Sequence, residues 1–164
     1  MHITPAQEED ISQIVFLENF IEGRDAASRQ TLLARLQMFS EGFLVAKIKG
    51  RVAGYIETCI WHRETPQFQA DPNFFLTEHA LDGAIIYIIF VGVEERQRRH
   101  GIGSHLIREV IETIGGKFPA NRVHAVSRDP ILPFYRNLGF STVKRLPGFL
   151  PDKQMYSLME FCLR

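Results

Sequence analysis

The chain has 164 residues, 45% of them apolar and 23% charged, with 19 basic and 19 acidic side chains and a formal net charge of zero. That is enough chain for one globular domain over residues 1–164 with a real core, and too apolar for a disordered segment. Balanced charge argues against nucleic acid as a partner, since non-specific binding needs a positive surplus, and no apolar run reaches the roughly 18 residues of a membrane span.

The opening MHITPAQEEDIS has no basic-then-apolar leader, and Cys59 and Cys162 have no metal-type spacing. Both features suit a reducing compartment, so a cytoplasmic location is expected. No histidine pair has ligand spacing either, and no metal is expected. A short extended piece from Ile3 precedes a helix marked by Ile11, Ile14, Val15 and Leu17, and Leu32, Leu33 and Leu36 predict a second over 28–39. The period then changes. GFLVAKIKGRVAGYIETCIW (42–61) reads as a hairpin turning at Lys49, Gly50 and Arg51. Residues 62–83, with Pro66 and Pro72, predict a long loop with one short helix. AIIYIIFVGV (84–93) is apolar on both faces, the pattern of a strand buried within a sheet. Ile102, Leu106, Val110 and Ile114 form one helical row that Gly115 and Gly116 end. A strand over 122–126, a short helix over 130–138 closed by Gly139, and strands over 140–146 and 155–163 complete a mixed α/β order.

Between the buried strand and that helix lies EERQRRHGIGSHLIREV (94–110). Glycines there let the backbone approach a ligand, and the helix start offers unpaired N–H groups and a positive dipole end. With Arg98, Arg99 and His100 beside it, a phosphate or pyrophosphate is the natural guest. A dinucleotide fingerprint would need glycine where Leu106 stands, and a P-loop would need Lys-Ser/Thr where Ser104-His105 follows Gly103. A glycine turn under a solvated basic surface is the plainer alternative. Gly92 predicts a bulge or a close approach. A bulge would part this strand from its next neighbour, so that an extended amide-bearing ligand could add as a further strand. Pantetheine ending in a pyrophosphate has both features, and the ligand predicted is coenzyme A.

VGV (91–93), RRHGIG (98–103) and PFYRNLGF (133–140) resemble the GNAT superfamily of N-acetyltransferases, whose signature is an (Arg/Gln)-x-x-Gly-x-(Gly/Ala) turn and a later helix with a Gly-Phe pair. A looser likeness to the serotonin (arylalkylamine) N-acetyltransferases runs through ALDGAIIYIIFVGV, DPILPFYRNLGF and MEFCLR. The resemblance implies an α/β GNAT-like fold: a central mixed, mostly antiparallel sheet flanked by helices, with a splayed strand pair forming the cofactor cleft. It implies acetyl-CoA as cofactor, held by Val91, Gly92 and Val93 along the pantetheine. Arg98, Arg99, His100, Gly101, Ile102, Gly103 and Ser104 would sit at the pyrophosphate, with Phe134 and Arg136 nearby. Tyr135 would be the general acid. The two histidines of the arylalkylamine enzymes correspond here to Tyr87 and Ile89.

An amine attacking a thioester must lose a proton, the departing thiolate must gain one, and the oxyanion needs donors, which N–H groups of Gly92 or Val93 could supply. Candidates for the base are Glu57, within GYIET, and Tyr87 ordering a water chain; a solvated strand face and a structural aromatic are the alternatives. Trp61, Phe68, Phe74 and Phe75 either form an acceptor pocket or pin the loop, and Glu78 and His79 could line the same site. His124 reads as a satisfied strand histidine. The expected function is acetyl transfer to a small primary amine, arylalkylamine- or polyamine-like, by direct attack in a ternary complex. A protein N-terminal or lysine acetyltransferase and a catalytically silent acyl-CoA-binding module are the alternatives. Oligomeric state stays open, a homodimer being one outcome.

Overall fold

A computed structural model describes residues 1–64, 66, 73–152 and 154–163. Seven strands form one sheet in the order β1-β2-β3-β4-β5-β7-β6. They are β1 (His2–Pro5), β2 (Phe43–Ile48), β3 (Arg51–Trp61), β4 (Ile85–Val93), β5 (Arg122–Arg128), β6 (Ser141–Pro147) and β7 (Met155–Cys162). β4 and β5 pair in parallel and every other neighbour is antiparallel. The predicted hairpin closes β2 onto β3 through Lys49 and Gly50, both at positive φ (50° and 76°), the geometry that tight two-residue turns require.

Helices cover both faces. On one side lie α1 (Ile11–Glu22) and α2 (Arg29–Met38), the second capped by Ser28, whose hydroxyl accepts from the Thr31 N–H at 3.1 Å. Their apolar stripes meet Val45, Tyr55 and Phe90 of the sheet. On the other side α4 (Ile102–Glu109), continued by a π-helical turn over Val110–Ile114, and α5 (Leu132–Asn137) bury Ile102, Leu106, Val110 and Tyr135 against Ile56, Ile86 and Ile88. The segment α3 (Phe74–Glu78) is a short helix within 62–83, as expected for that loop. Among the described residues, no helix is long and apolar enough to cross a membrane.

The sheet is not evenly closed. β4 and β5 pair only through Ile85–Arg122 to Ile88–Ala125. Beyond that, Ile89–Val93 and Val126–Arg128 part company, and the predicted splay is present. The bulge expected at Gly92 lies three residues earlier, at Ile89. Gly92 pairs in register with Tyr55, whereas Glu57 faces Phe90 and Thr58 faces Ile88, so the extra residue is Ile89. Gly92 answers to a different constraint: a Cβ there would stand 2.6 Å from Phe90 Cε1 and 2.8 Å from the α1 residue Ile21.

Candidate active site

The Glu94 N–H donates to Ala53 O at 2.8 Å. In an antiparallel pair hydrogen bonding alternates residue by residue, so Gly92 also points its peptide groups at β3 while Val91 and Val93 point theirs away. On that outward side β5 has diverged, and no described strand pairs with them. Val91 and Val93 thus form a short open edge inside a sheet, able to pair with an amide-bearing chain. Gly92 is turned the other way, which leaves Val93 as the outward N–H of the two considered for an oxyanion.

At the end of this edge the chain enters the basic turn. Arg98 Nε donates to Val93 O at 3.2 Å, tying the turn to the strand. Arg99 and Gly101 take positive φ (65° and 81°), and Gly101 is the N-cap of α4. The first helical bond runs from the His105 N–H to Gly101 O at 2.9 Å. The N–H groups of Ile102, Gly103 and Ser104 therefore have no intrahelical acceptor and face outward together at the positive end of the helix. A Cβ on Gly103 would touch Phe134 at 3.4 Å, so the α5 aromatic closes one wall. Alternating positive-φ residues and converging N–H groups make a concavity for anions.

Edge and turn open into one cleft of about 730 Å³. Val91, Gly92 and Val93, then Arg98, Arg99 and Gly101 through Ser104, line it, with Phe134 and Tyr135 opposite. Of the residues expected at the cofactor, His100 and Arg136 are not on its wall. His100 is exposed, and Arg136 reaches Thr142 Oγ1 at 3.3 Å. The cleft also passes through the sheet. Its far mouth, on the α1 side, is lined by Ile21 and Glu22 from the end of α1, Arg128 from the end of β5, and Tyr156 from β7. None of these four carries a local motif.

Tyr135 is 5% exposed, and burial pushes its hydroxyl well above the ordinary phenol range, so it stays protonated at neutral pH. Tyr87 is shifted upward by burial too, but it is not on the cleft wall. Its ring stacks on Trp61 at 4.3 Å and on Phe75 at 6.0 Å, with Phe74 edge-on to Trp61. Trp61, Phe74 and Phe75 thus pin α3 to the sheet and do not line the cleft; Phe68 lies outside the described residues. Glu78 is ion-paired with Arg63 at 2.6 Å, and His79 Nδ1 accepts the Ile60 N–H at 3.1 Å. Burial depresses the His79 pKa, consistent with that neutral acceptor role.

Glu57, the expected base, is 1% exposed and absent from the cleft wall. Arg35 Nη1 donates to its Oε1 at 2.9 Å, while Oε2 has no described partner. Burial raises its pKa against the lowering effect of Arg35. Glu18 lies in the same buried group, accepting the Ala27 N–H at 3.0 Å, with its pKa pushed up to about 7 by burial. His124, expected to be satisfied, is paired through Nε2, 2.8 Å from Glu160, while its buried Nδ1 has no described partner. Within the cleft the described carboxylate is Glu22, raised by burial and lowered by the Arg128 charge.

The model of the acetyltransferase (GNAT) family matches residues 9–140. The chain belongs to that family. Membership makes it an N-acetyltransferase with acetyl-CoA as cofactor. Among relatives, it is 28% identical to an N-alpha-acetyltransferase of Sulfurisphaera tokodaii, over 76% of this chain and 71% of that protein. It is also 28% identical to the probable hydrolase YhcX of Bacillus subtilis, over 93% of this chain, and spans only 36% of that relative's length. A solved structure of the GNAT-like decarboxylase GphF in complex with isobutyryl-CoA superposes with a TM-score of 0.88, at 20% identity and full coverage of both chains.

Proposed function

We propose that this chain transfers the acetyl group of acetyl-CoA to a primary amine by direct attack, with donor and acceptor bound together. The observation that carries this reading is a cleft that traverses the sheet and has chemically unlike mouths. On the α4–α5 side are Arg98, Arg99 and the free N–H groups of α4, suited to a pyrophosphate; on the α1 side is Glu22, suited to an ammonium. Between them the outward peptide groups of Val91 and Val93 hold the pantetheine as an added strand. The thioester then lies near Tyr135, where the sheet reopens.

In this reading acetyl-CoA supplies the activated acyl group, and the residues handle protons. Glu22 takes one proton from the ammonium, and its raised pKa makes it a better acceptor than a solvated carboxylate. The amine nitrogen would then attack the carbonyl carbon, and the developing oxyanion would need an N–H donor from the open edge of β4. As the carbon–sulfur bond breaks, the Tyr135 hydroxyl donates to the thiolate and regains a proton from the acylated nitrogen. The products are the acetamide and the free thiol.

A small primary amine is the favoured acceptor. A peptide N-terminus is a second reading, supported by the likeness to the Sulfurisphaera tokodaii N-alpha-acetyltransferase. Thiol release from acetyl-CoA, followed across small amines and short peptides, tests both. If acetyl-CoA raises the melting temperature but no acceptor releases thiol, the chain is a silent acyl-CoA-binding module. If acetyl-CoA neither stabilises the protein nor is consumed, the cofactor assignment falls as well.

A further inference from the structure

At the α1-side mouth, Arg128 ends β5 with its Cα in register with Tyr156 of β7, so the antiparallel ladder fixes its backbone at the cleft wall. Other arginines of this part of the sheet are saturated. Arg145 grips Asp129 through both oxygens at 2.6 and 2.8 Å, and Arg122 grips Glu64 in the same way at 2.8 Å. Arg128 differs: its guanidinium makes no hydrogen bond or ion pair with any described residue. Two acidic groups lie in its electrostatic range, but neither engages it directly. Asp152 is occupied by the Tyr156 hydroxyl at 2.6 Å, and Glu22 stands across the mouth.

This arginine is also distant in function from the phosphate cradle. Arg98, Arg99 and the start of α4 serve the opposite mouth, with Tyr135 and the splayed strands between. A planar, permanently charged fork at the α1-side mouth of the cleft, with its donors unspent, matches a carboxylate. We propose that Arg128 binds a carboxylate carried by one of the two reactants. One source is the acceptor, which would then be an amino-acid-type molecule with its ammonium at Glu22 and its carboxylate at Arg128. The other is the acyl chain of the donor, a dicarboxylic acyl thioester. The location rests on the transferase reading above, but recognition of the carboxylate is a matter of binding and is measurable without turnover.

Calorimetry on the full chain separates the sources. One arm compares succinyl-CoA with acetyl-CoA. The other uses protein saturated with coenzyme A and compares phenylalanine with phenethylamine and lysine with cadaverine. The expected result is a preference for the carboxylated ligand of about tenfold or more in one arm, as a charge-assisted bidentate contact provides. Arg128→Ala should abolish that preference, Arg128→Lys should retain part of it, and coenzyme A should bind all three proteins alike. Because Arg128 is exposed at a strand end, neither variant threatens the fold. Equal affinities in both arms, or a preference that survives Arg128→Ala, would overturn the proposal. Thiol release measured in parallel keeps the outcomes apart: carboxylate preference without turnover removes the transferase reading alone, and turnover without preference removes Arg128 alone.

Discussion

Strand β4 is two structures in sequence. Its first half, Ile85–Ile88, is hydrogen-bonded on both sides and is backed on one face by Trp61 and Phe75, on which its own Tyr87 stacks. Its second half, past the bulge at Ile89, has one open edge and is backed in part by buried charges, because Glu57 pairs with Phe90 and bonds Arg35. The residues of both halves are almost uniformly apolar, so composition does not distinguish them. What differs is the neighbour. Where β5 follows, the strand contributes stability; where β5 departs, its outward peptide groups are left without a strand partner among the described residues.

The largest effect should come from the closed half. Ile86 is fully buried, and Ile86→Ala should cost about 2–5 kcal/mol in urea unfolding while leaving acetyl-CoA affinity unchanged below the transition. A large change in affinity would dissolve the division between the halves. The two tyrosines sharpen it. Tyr135→Phe should slow thiol release by about 100-fold with little change in melting temperature, whereas Tyr87→Phe should leave the rate within about twofold, since that ring only packs. Equal losses in both would move Tyr87 into the site.

In the open half, Gly92→Val drives methyls into Phe90 and Ile21 and should destabilise by about 1–3 kcal/mol. It should also weaken acetyl-CoA binding, read as a smaller thermal shift on ligand addition. The smallest effect concerns the charges behind this half. Glu18 in the folded chain titrates at about 7 against 4.5 for the free carboxyl, so the folded state holds the proton more tightly. Stability should therefore decline as pH rises from about 4.5 to about 7. Glu18→Gln should flatten that decline and exceed the parent by about 1–2 kcal/mol at pH 8 in chemical denaturation. A slope unchanged by the substitution would assign it to another group.

Signals confined to a short window were legible in the sequence. The Lys49–Gly50 turn, the doubly apolar β4, the amphipathic row of α4 and the glycine turn each depend on residues within a few positions of one another. Features that need a partner from elsewhere were not. The bulge at Ile89 is a property of register against β3, and nothing in IIF marks it. Gly92 carried a real constraint, but half of it comes from Ile21, 71 positions earlier in the sequence, and only the rest from nearby Phe90. Glu57 looked available as a base because its partner, Arg35, lies 22 residues upstream on a helix. Glu22, Arg128 and Tyr156 come from three separate segments and meet only when the sheet assembles.

The parallel pairing of β4 with β5 is four residues long, and it is the seam between two sub-sheets: β1 through β4 on one side, β5, β7 and β6 on the other. Mechanically, the splay is a crack whose tip sits at Ile88–Ala125. A ligand bonded along Val91 and Val93 and packed against the diverging end of β5 acts as a clamp across that crack. Cofactor binding should then slow amide exchange on both lips together, at Val91 and Val93 and at Val126–Arg128, and stiffen a molecule that is otherwise joined by a short weld.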